Sequence, residues 1–258
     1  MAAIDLFRLD NKIALVSGAS RGIGEAIAHG IAEQGAHVIV SSRKLDGCEA
    51  VAQAIRDNGG EATALACHSG DLEAIDAMFA EVVEKFGGLD ILVNCGGTNP
   101  YFGPVAETPM LAFDKTLEVN FRGPFYMSEK AVAIMKERGG GSILNVASID
   151  GISAGTFQGV YSTTKAAMIS MTQSFALENG EHGIRVNALC PGLTETKFTT
   201  VFMEQDGYAD TVGHLPLKKA ALPIDMVGAS LLMVSDAGAC MTGQTLVVDS
   251  GGLIAHGL

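Results

Sequence analysis

Residues Ile13 to Gly24 read IALVSGASRGIG, and the architecture follows from this stretch. A short apolar run comes first, a turn built on Gly18, Gly22 and Gly24 comes next, and Ile23, Ile27 and Ile31 then recur at the i, i+4, i+8 spacing of one helix face. Strand, tight turn and helix in immediate succession begin a repeating α/β unit, in which each strand hands over to a helix that covers the sheet.

The alternation continues along the chain. The apolar runs HVIVS, ATALAC, DILVN, SILNVA, IRVNALC and QTLVV are separated by longer segments of helical period, as at Leu72, Ile75, Phe79, Val82 and Phe86. Glycines stand where those helices should stop: Gly35, Gly59 with Gly60, Gly87 with Gly88, and Gly139 to Gly141. Near-continuous apolar strands imply a parallel sheet with helices on both faces.

The 258 residues are 48% hydrophobic and only 18% charged, enough for one substantial core at the upper end of single-domain size. No repeat, low-complexity tract or linker divides them, so one domain over residues 1–258 is expected. Residues 193–220 exceed the length of an ordinary α/β connection and read as a lid. A formal charge of -12 argues against nucleic acid or an anionic membrane as partner. Cys48, Cys67, Cys95, Cys190 and Cys240 are scattered and form no CxxC pair, which suits a reducing cytoplasm and suggests neither a disulfide framework nor a metal site. No leader peptide and no apolar run of membrane-spanning length is evident.

The turn has GxxxGxG spacing, distinct from GxGxxG. Gly18 permits the tight turn, while Gly22 and Gly24 let backbone approach a pyrophosphate at the start of a helix, which points to a dinucleotide. About twenty residues on, where an acid usually accepts the ribose hydroxyls, HVIVSSRK places Ser42, Arg43 and Lys44. With Arg21 on the same side, these cations suit a 2′-phosphate, so NADP(H) is favoured and NAD(H) stays possible. Lys44 itself reads better as the solvated start of a helix, a reading that suits Arg43 less well.

A second constellation lies downstream. In YSTTK, Tyr161 and Lys165 fall four apart in a helical segment and share a face. Ser148 ends an apolar run, at the carboxyl end of a strand where open α/β sheets bind ligands. Hydroxyl, phenol and cation together suggest proton transfer at a substrate oxygen.

These motifs in this order resemble the short-chain dehydrogenase/reductase family over residues 10–253. SGASRGIG is similar to the family's TGxxxGxG, YSTTK to its YxxxK, SILNVAS to its serine-bearing strand and LEVNFRG to its asparagine-bearing helix. The resemblance implies a single-domain Rossmann fold, a doubly wound seven-stranded parallel sheet with helices on both faces. It implies a catalytic set of Asn120, Ser148, Tyr161 and Lys165, with Tyr161 as general acid in reduction or base in oxidation. Lys165 would lower the phenol's pKa and hold the nicotinamide ribose, Ser148 would bond the substrate oxygen, and Asn120 would fix a relay water. Cofactor contacts carry over to Gly18, Ser20, Arg21, Gly22, Ile23, Gly24, Ser42, Arg43, Asn94, Gly96, Tyr161, Lys165, Pro191, Gly192, Thr194 and Thr196. VNCGG departs from the usual NNAG at Cys95, and His68 stands where many members carry an aspartate facing the adenine.

VSSRK, ACHSG, NPYFG and KERGGGSILNVAS are similar to the NADPH-dependent carbonyl and retinal reductases of the peroxisomal type, which implies a bulky apolar ketone or aldehyde; the terminal AHGL is not a peroxisomal address. Tyr101, Phe102, Ile149, Phe157, Phe202 and Met203 are the expected pocket walls, with Phe198 and Val201 of the lid, although Phe202 and Met203 read equally as lid packing. Glu195, Glu204 and Asp206 disfavour anionic substrates. An NAD-dependent alcohol or sugar-alcohol dehydrogenase is the alternative enzyme, and a non-catalytic nucleotide sensor would require erosion of a catalytic set that is intact. The resemblance also implies a homotetramer.

Overall fold

The computed structural model describes residues 2–204 and 207–255, excepting the side chains of 201 and 202. Its elements run β1 (Ile13–Ser17), α1 (Gly22–Glu33), β2 (His37–Ser42), α2 (Leu45–Asp57), β3 (Glu61–Ala66), α3 (Leu72–Phe86), β4 (Ile91–Asn94), α4 (Met110–Leu117), α5 (Gly123–Arg138), β5 (Gly141–Val146), α6 (Gly159–Asn179), β6 (Ile184–Pro191), α7 (Thr200–Met203), α8 (Tyr208–His214), α9 (Val227–Val234) and β7 (Thr245–Val248). All seven strands pair in parallel, in the order β3-β2-β1-β4-β5-β6-β7.

Alternation along β1 divides the core. Ala14 and Val16 face α1, α2 and α9, packing with Ile27, Ile31, Val51, Ile55 and Met233. Leu15 points the other way, into Ile75, Phe79 and Val82 of α3 and Met127 and Met135 of α5. Each such fully buried aliphatic or aromatic side chain is worth about 1.5–3 kcal/mol relative to exposure, which explains why the strand runs are apolar on both faces. The sheet order reverses between β1 and β4, and the crevice at that switch point is where an open α/β sheet receives its ligand.

A buried amide ladder ties this crevice together. Asn94, at the end of β4, donates from Nδ2 to Asn145 Oδ1 (2.9 Å) and Ser128 Oγ (3.1 Å), and Asn145 Nδ2 donates to Thr172 Oγ1 (2.9 Å) on α6. All four side chains are fully buried. Asn94→Ala orphans an acceptor on Asn145 and is expected to cost about 2–4 kcal/mol of stability. A urea midpoint equal to that of the parent protein would show that the ladder carries no net weight.

Helices α4 and α5 are continuous through a π-helical turn, Glu118–Arg122, that carries Asn120. A Cβ at Gly123, just past this turn, would stand 1.6 Å from the Ser69 carbonyl oxygen, so only glycine lets the β3–α3 loop lie directly against the backbone here. Residues 193–220 hold α7 and α8 and are clasped at their base, where Glu195 N–H donates to Ala221 O (2.8 Å) and Ala221 N–H to Leu193 O (2.9 Å). Among the described residues no helix is long and apolar enough to cross a membrane.

Candidate active site

The glycine turn lies in the β1/β4 crevice. Gly18 has φ +69°, and a Cβ there would stand 2.6 Å from both N and Cα of Gly96 in the loop leaving β4, so no larger residue fits. Gly24 is set by the same crowding, its missing Cβ falling 2.5 Å from Gly18 O. Around the first turn of α1, Ser20 Oγ donates to Ser42 Oγ (3.1 Å), which joins the turn to the tip of β2. Ile23 packs onto the α1-side core. Gly22 meets only the Thr196 side chain, at 3.5 Å, so the lid's root stands over the turn.

Arg21 and Arg43 are exposed and engage in no hydrogen bond or ion pair among the described residues. Two uncommitted guanidinium groups, paired hydroxyls and a helix N-terminus with room for an anion fit the phosphates of a dinucleotide. Beyond β6, which ends at Pro191, Gly192 packs against Asp249, and Thr194 is buried with its hydroxyl donating to Gly192 O (2.9 Å). Thr194 thus braces the lid root, whereas Thr196 exposes its side chain toward Gly22.

The proposed reacting groups converge beside that crevice. Ser148 follows β5, and its Oγ accepts the Asp150 N–H (3.1 Å). Tyr161 and Lys165 lie one turn apart on α6, with Lys165 Nζ donating to Val146 O (2.8 Å) and standing 5.6 Å from the Tyr161 ring centroid. Ser148 bonds the Tyr161 phenol, a contact that by itself lowers the phenol's pKa. Asn120 donates from Nδ2 to Thr98 O (2.8 Å) and Thr164 Oγ1 (3.3 Å) and accepts the Thr98 N–H (2.8 Å). Both amide donors are therefore committed, and the side chain pins the loop after β4 to α6.

Electrostatics here follow from burial. Tyr161 has its pKa raised, first by burial and then by the Asp150 carboxylate, which together outweigh the Ser148 hydrogen bond. Lys165 is pushed down to about 8, chiefly by burial, against a weaker upward pull from Cys95, Cys190 and Asp150. Burial also pushes the Cys95 thiol up to about 12 and the Cys190 thiol up to about 11. Burial thus favours the protonated form of the ring.

The expected apolar walls are only partly assembled. Phe198 of the lid sits over Tyr161, ring centroids 5.9 Å apart. Phe102 and Phe157 are 42% and 55% exposed, the latter at φ +62°. Tyr101 turns its hydroxyl to Pro104 O (3.3 Å), and Ile149 packs onto Ala147, Met168, Met171 and Cys190. Met203 is half-buried on α7, while the side chains of Val201 and Phe202, and Asp206 altogether, lie outside the described residues. His68 accepts the Gly70 N–H at Nδ1 (2.9 Å) and is held low in pKa by burial, then by Lys115 and Arg43. No motif or spacing singles out Asp150, yet its carboxylate is half-buried beside the reacting groups and has a pKa raised by burial. An acid two residues past a strand-end serine was the only available signal.

Known proteins share this fold. The family profile described as enoyl-(acyl carrier protein) reductase matches residues 18–252. Dehydrogenase/reductase SDR family member 4 of Bos taurus is 36% identical over 249 residues, 96% of this chain and 89% of that protein. A gluconate 5-dehydrogenase from Burkholderia cenocepacia J2315, solved in complex with NADP and tartrate, superposes with a TM-score of 0.94 at 29% identity, covering 98% of this chain and 99% of its own. A 7 alpha-hydroxysteroid dehydrogenase complexed with NADH and 7-oxo glycochenodeoxycholic acid gives a TM-score of 0.91 at 31% identity, covering 98% of both chains. The chain belongs to the short-chain dehydrogenase/reductase family of NAD(P)-dependent oxidoreductases, which interconvert carbonyl and alcohol groups.

Proposed function

We propose that this protein is a single-domain NADPH-dependent reductase of ketones or aldehydes in which Tyr161 donates the proton. The observation that carries the reading is the convergence of Ser148, a protonated Tyr161 and Lys165 at the carboxyl edge of β5. When bound, the nicotinamide cofactor supplies the hydride. Ser148 Oγ donates to the carbonyl oxygen, fixing it beside the phenol and stabilising the charge that develops there. Tyr161 then gives its proton to that oxygen, and the phenolate left behind is stabilised by the Lys165 ammonium. Asn120 is a positioning residue, locking Thr98 and α6 in register around this point. Lid residues Phe198 and Met203 reduce water access to the reacting oxygen.

NADPH is favoured because Arg21 and Arg43 flank Ser42 without partners of their own. Arg43→Ala is expected to weaken NADPH binding by about 10- to 100-fold, the worth of one charge-assisted contact, and to leave NADH binding within a factor of about two. Fluorescence titration of both cofactors with both proteins at one salt concentration reads this. Equal losses for the two cofactors, or a parent protein that prefers NADH, would overturn the assignment and favour an NAD-dependent alcohol dehydrogenase. Exposed Phe125 on α5 and Leu177 on α6, 43% and 87% accessible, support burial of these helices between copies of this chain. A homotetramer is the assembly we infer, and light scattering that returns a monomer would rule it out.

A further inference from the structure

Residues 193–220 leave the sheet after β6, and one acid just past β7 meets both ends of this segment. At the entry, Gly192 N–H donates to Val248 O (2.9 Å), and a Cβ on Gly192 would stand 2.5 Å from Asp249 Cβ, so the chain enters the lid in direct contact with Asp249. At the exit, Leu217 N–H donates to Ser250 O (3.2 Å), and a Cβ on Gly251 would stand 2.7 Å from Pro216 Cγ. The end of the lid therefore sits on the turn that Asp249 begins.

That turn needs outside support. Ser250 and Gly251 both lie in the left-handed region, at φ +57° and +86°, which is strained backbone for the serine. The Asp249 carboxylate holds it with both oxygens: Oδ1 accepts the Gly251 N–H (2.8 Å) and Oδ2 the Leu253 N–H (2.7 Å). Such charge-assisted bonds to backbone are about twice as strong as neutral ones. Inside the lid, the Tyr208 hydroxyl of α8 donates to Glu195 Oε1 (3.2 Å) near the entry, and Phe198 lies over Tyr161 with ring centroids 5.9 Å apart. Contacts thus run from Asp249 through Pro216, Leu217 and α8 to the segment whose ring covers the reacting phenol.

We infer that Asp249 is a positioning residue for the proposed reduction: its carboxylate shapes the turn after β7 into the seat of the lid and so keeps Phe198 over the bound carbonyl compound. The inference rests on the carbonyl-reductase reading and adds to it a residue that acts through the lid and not on the reacting atoms. Ser148, Tyr161 and Lys165 are carried by the end of β5 and by α6, apart from this seat. A lid contact is made in the ground state and the transition state alike, so loosening the seat raises KM and spares kcat.

Asp249→Ala and Pro216→Ala attack the seat from its two sides, the first removing both carboxylate bonds, the second leaving the turn whole and trimming the lid residue that rests on it. With acetophenone and NADPH, each is expected to raise KM about tenfold with kcat within a factor of about two. Asp249→Asn, which keeps one acceptor, should fall between Asp249→Ala and the parent protein. Hydrogen exchange on the same proteins without ligands should quicken about tenfold over residues 208–217 and stay unchanged in β1 and β4. A fall in kcat at constant KM, with faster exchange in β1 and β4 as well, would mean that Asp249 only holds the fold together and overturns the inference. Unchanged KM in both alanine variants overturns it too, whether or not lid exchange quickens. If the parent protein reduces neither acetophenone nor any other apolar ketone with NADPH, the reductase reading falls and the inference with it, whereas the other adverse results strike the inference alone.

Discussion

Tyr161→Phe is expected to lower kcat/KM for ketone reduction by about 10³-fold, within the range a positioned general acid supplies, while leaving NADPH affinity and thermal stability close to those of the parent protein. The asymmetry follows from where the ring sits. Tyr161 is 9% exposed, its ring is packed beneath Phe198, and phenylalanine reproduces that packing. Only the hydroxyl is lost, together with its bond to Ser148. Burial holds the phenol protonated, so the parent protein presents the acid form throughout the neutral range and the variant presents none. Cofactor titration and a melting curve on the same sample separate this result from misfolding. A variant within tenfold of the parent protein would mean that water or another side chain delivers the proton.

Much of this site was legible because its parts are local. Tyr161 and Lys165 share a face once their segment is read as helix, and Ser148 lies at a strand end once SILNVA is read as strand. The glycine turn likewise announces itself, since Gly18 is demanded by its own backbone angle. What could not be read depends on contacts distant in sequence. The glycine at the end of the π-helical turn that carries Asn120 is required because its backbone meets the Ser69 carbonyl, a pairing across 54 positions that no periodicity reveals. The commitment of the Asn120 amide to Thr98 in the loop after β4 is equally hidden from periodicity. Asp150 stands two residues past Ser148 in sequence, but it matters because the fold half-buries its carboxylate where it acts on Tyr161 and Lys165. The balance at Tyr161 was also hidden, because charge spacing along a helix says nothing about desolvation, and here desolvation outweighs the neighbouring charges.

Lys165 is expected to set the pH dependence of the proposed reduction. Burial pushes its pKa down to about 8, so the ammonium is present below that pH and is lost above it. Reduction needs a protonated Tyr161 and a cation to receive the phenolate. Reductive kcat/KM should therefore be level through the neutral range and fall about tenfold per pH unit above roughly 8. The other groups facing the site do not titrate there: burial holds the Cys95 and Cys190 thiols at about 12 and 11, Tyr161 lies higher than its ordinary value, and Asp150 is a carboxylate raised from an acidic starting point. Lys165→Met removes the charge, keeps much of the side-chain volume and leaves Val146 O without its donor. It is expected to cost about 10³-fold in kcat/KM, and the residual activity should lose the descending limb near pH 8. If that limb persists in the methionine variant, the titrating group is not Lys165, and the phenolate must draw its stabilisation from the Ser148 hydroxyl alone.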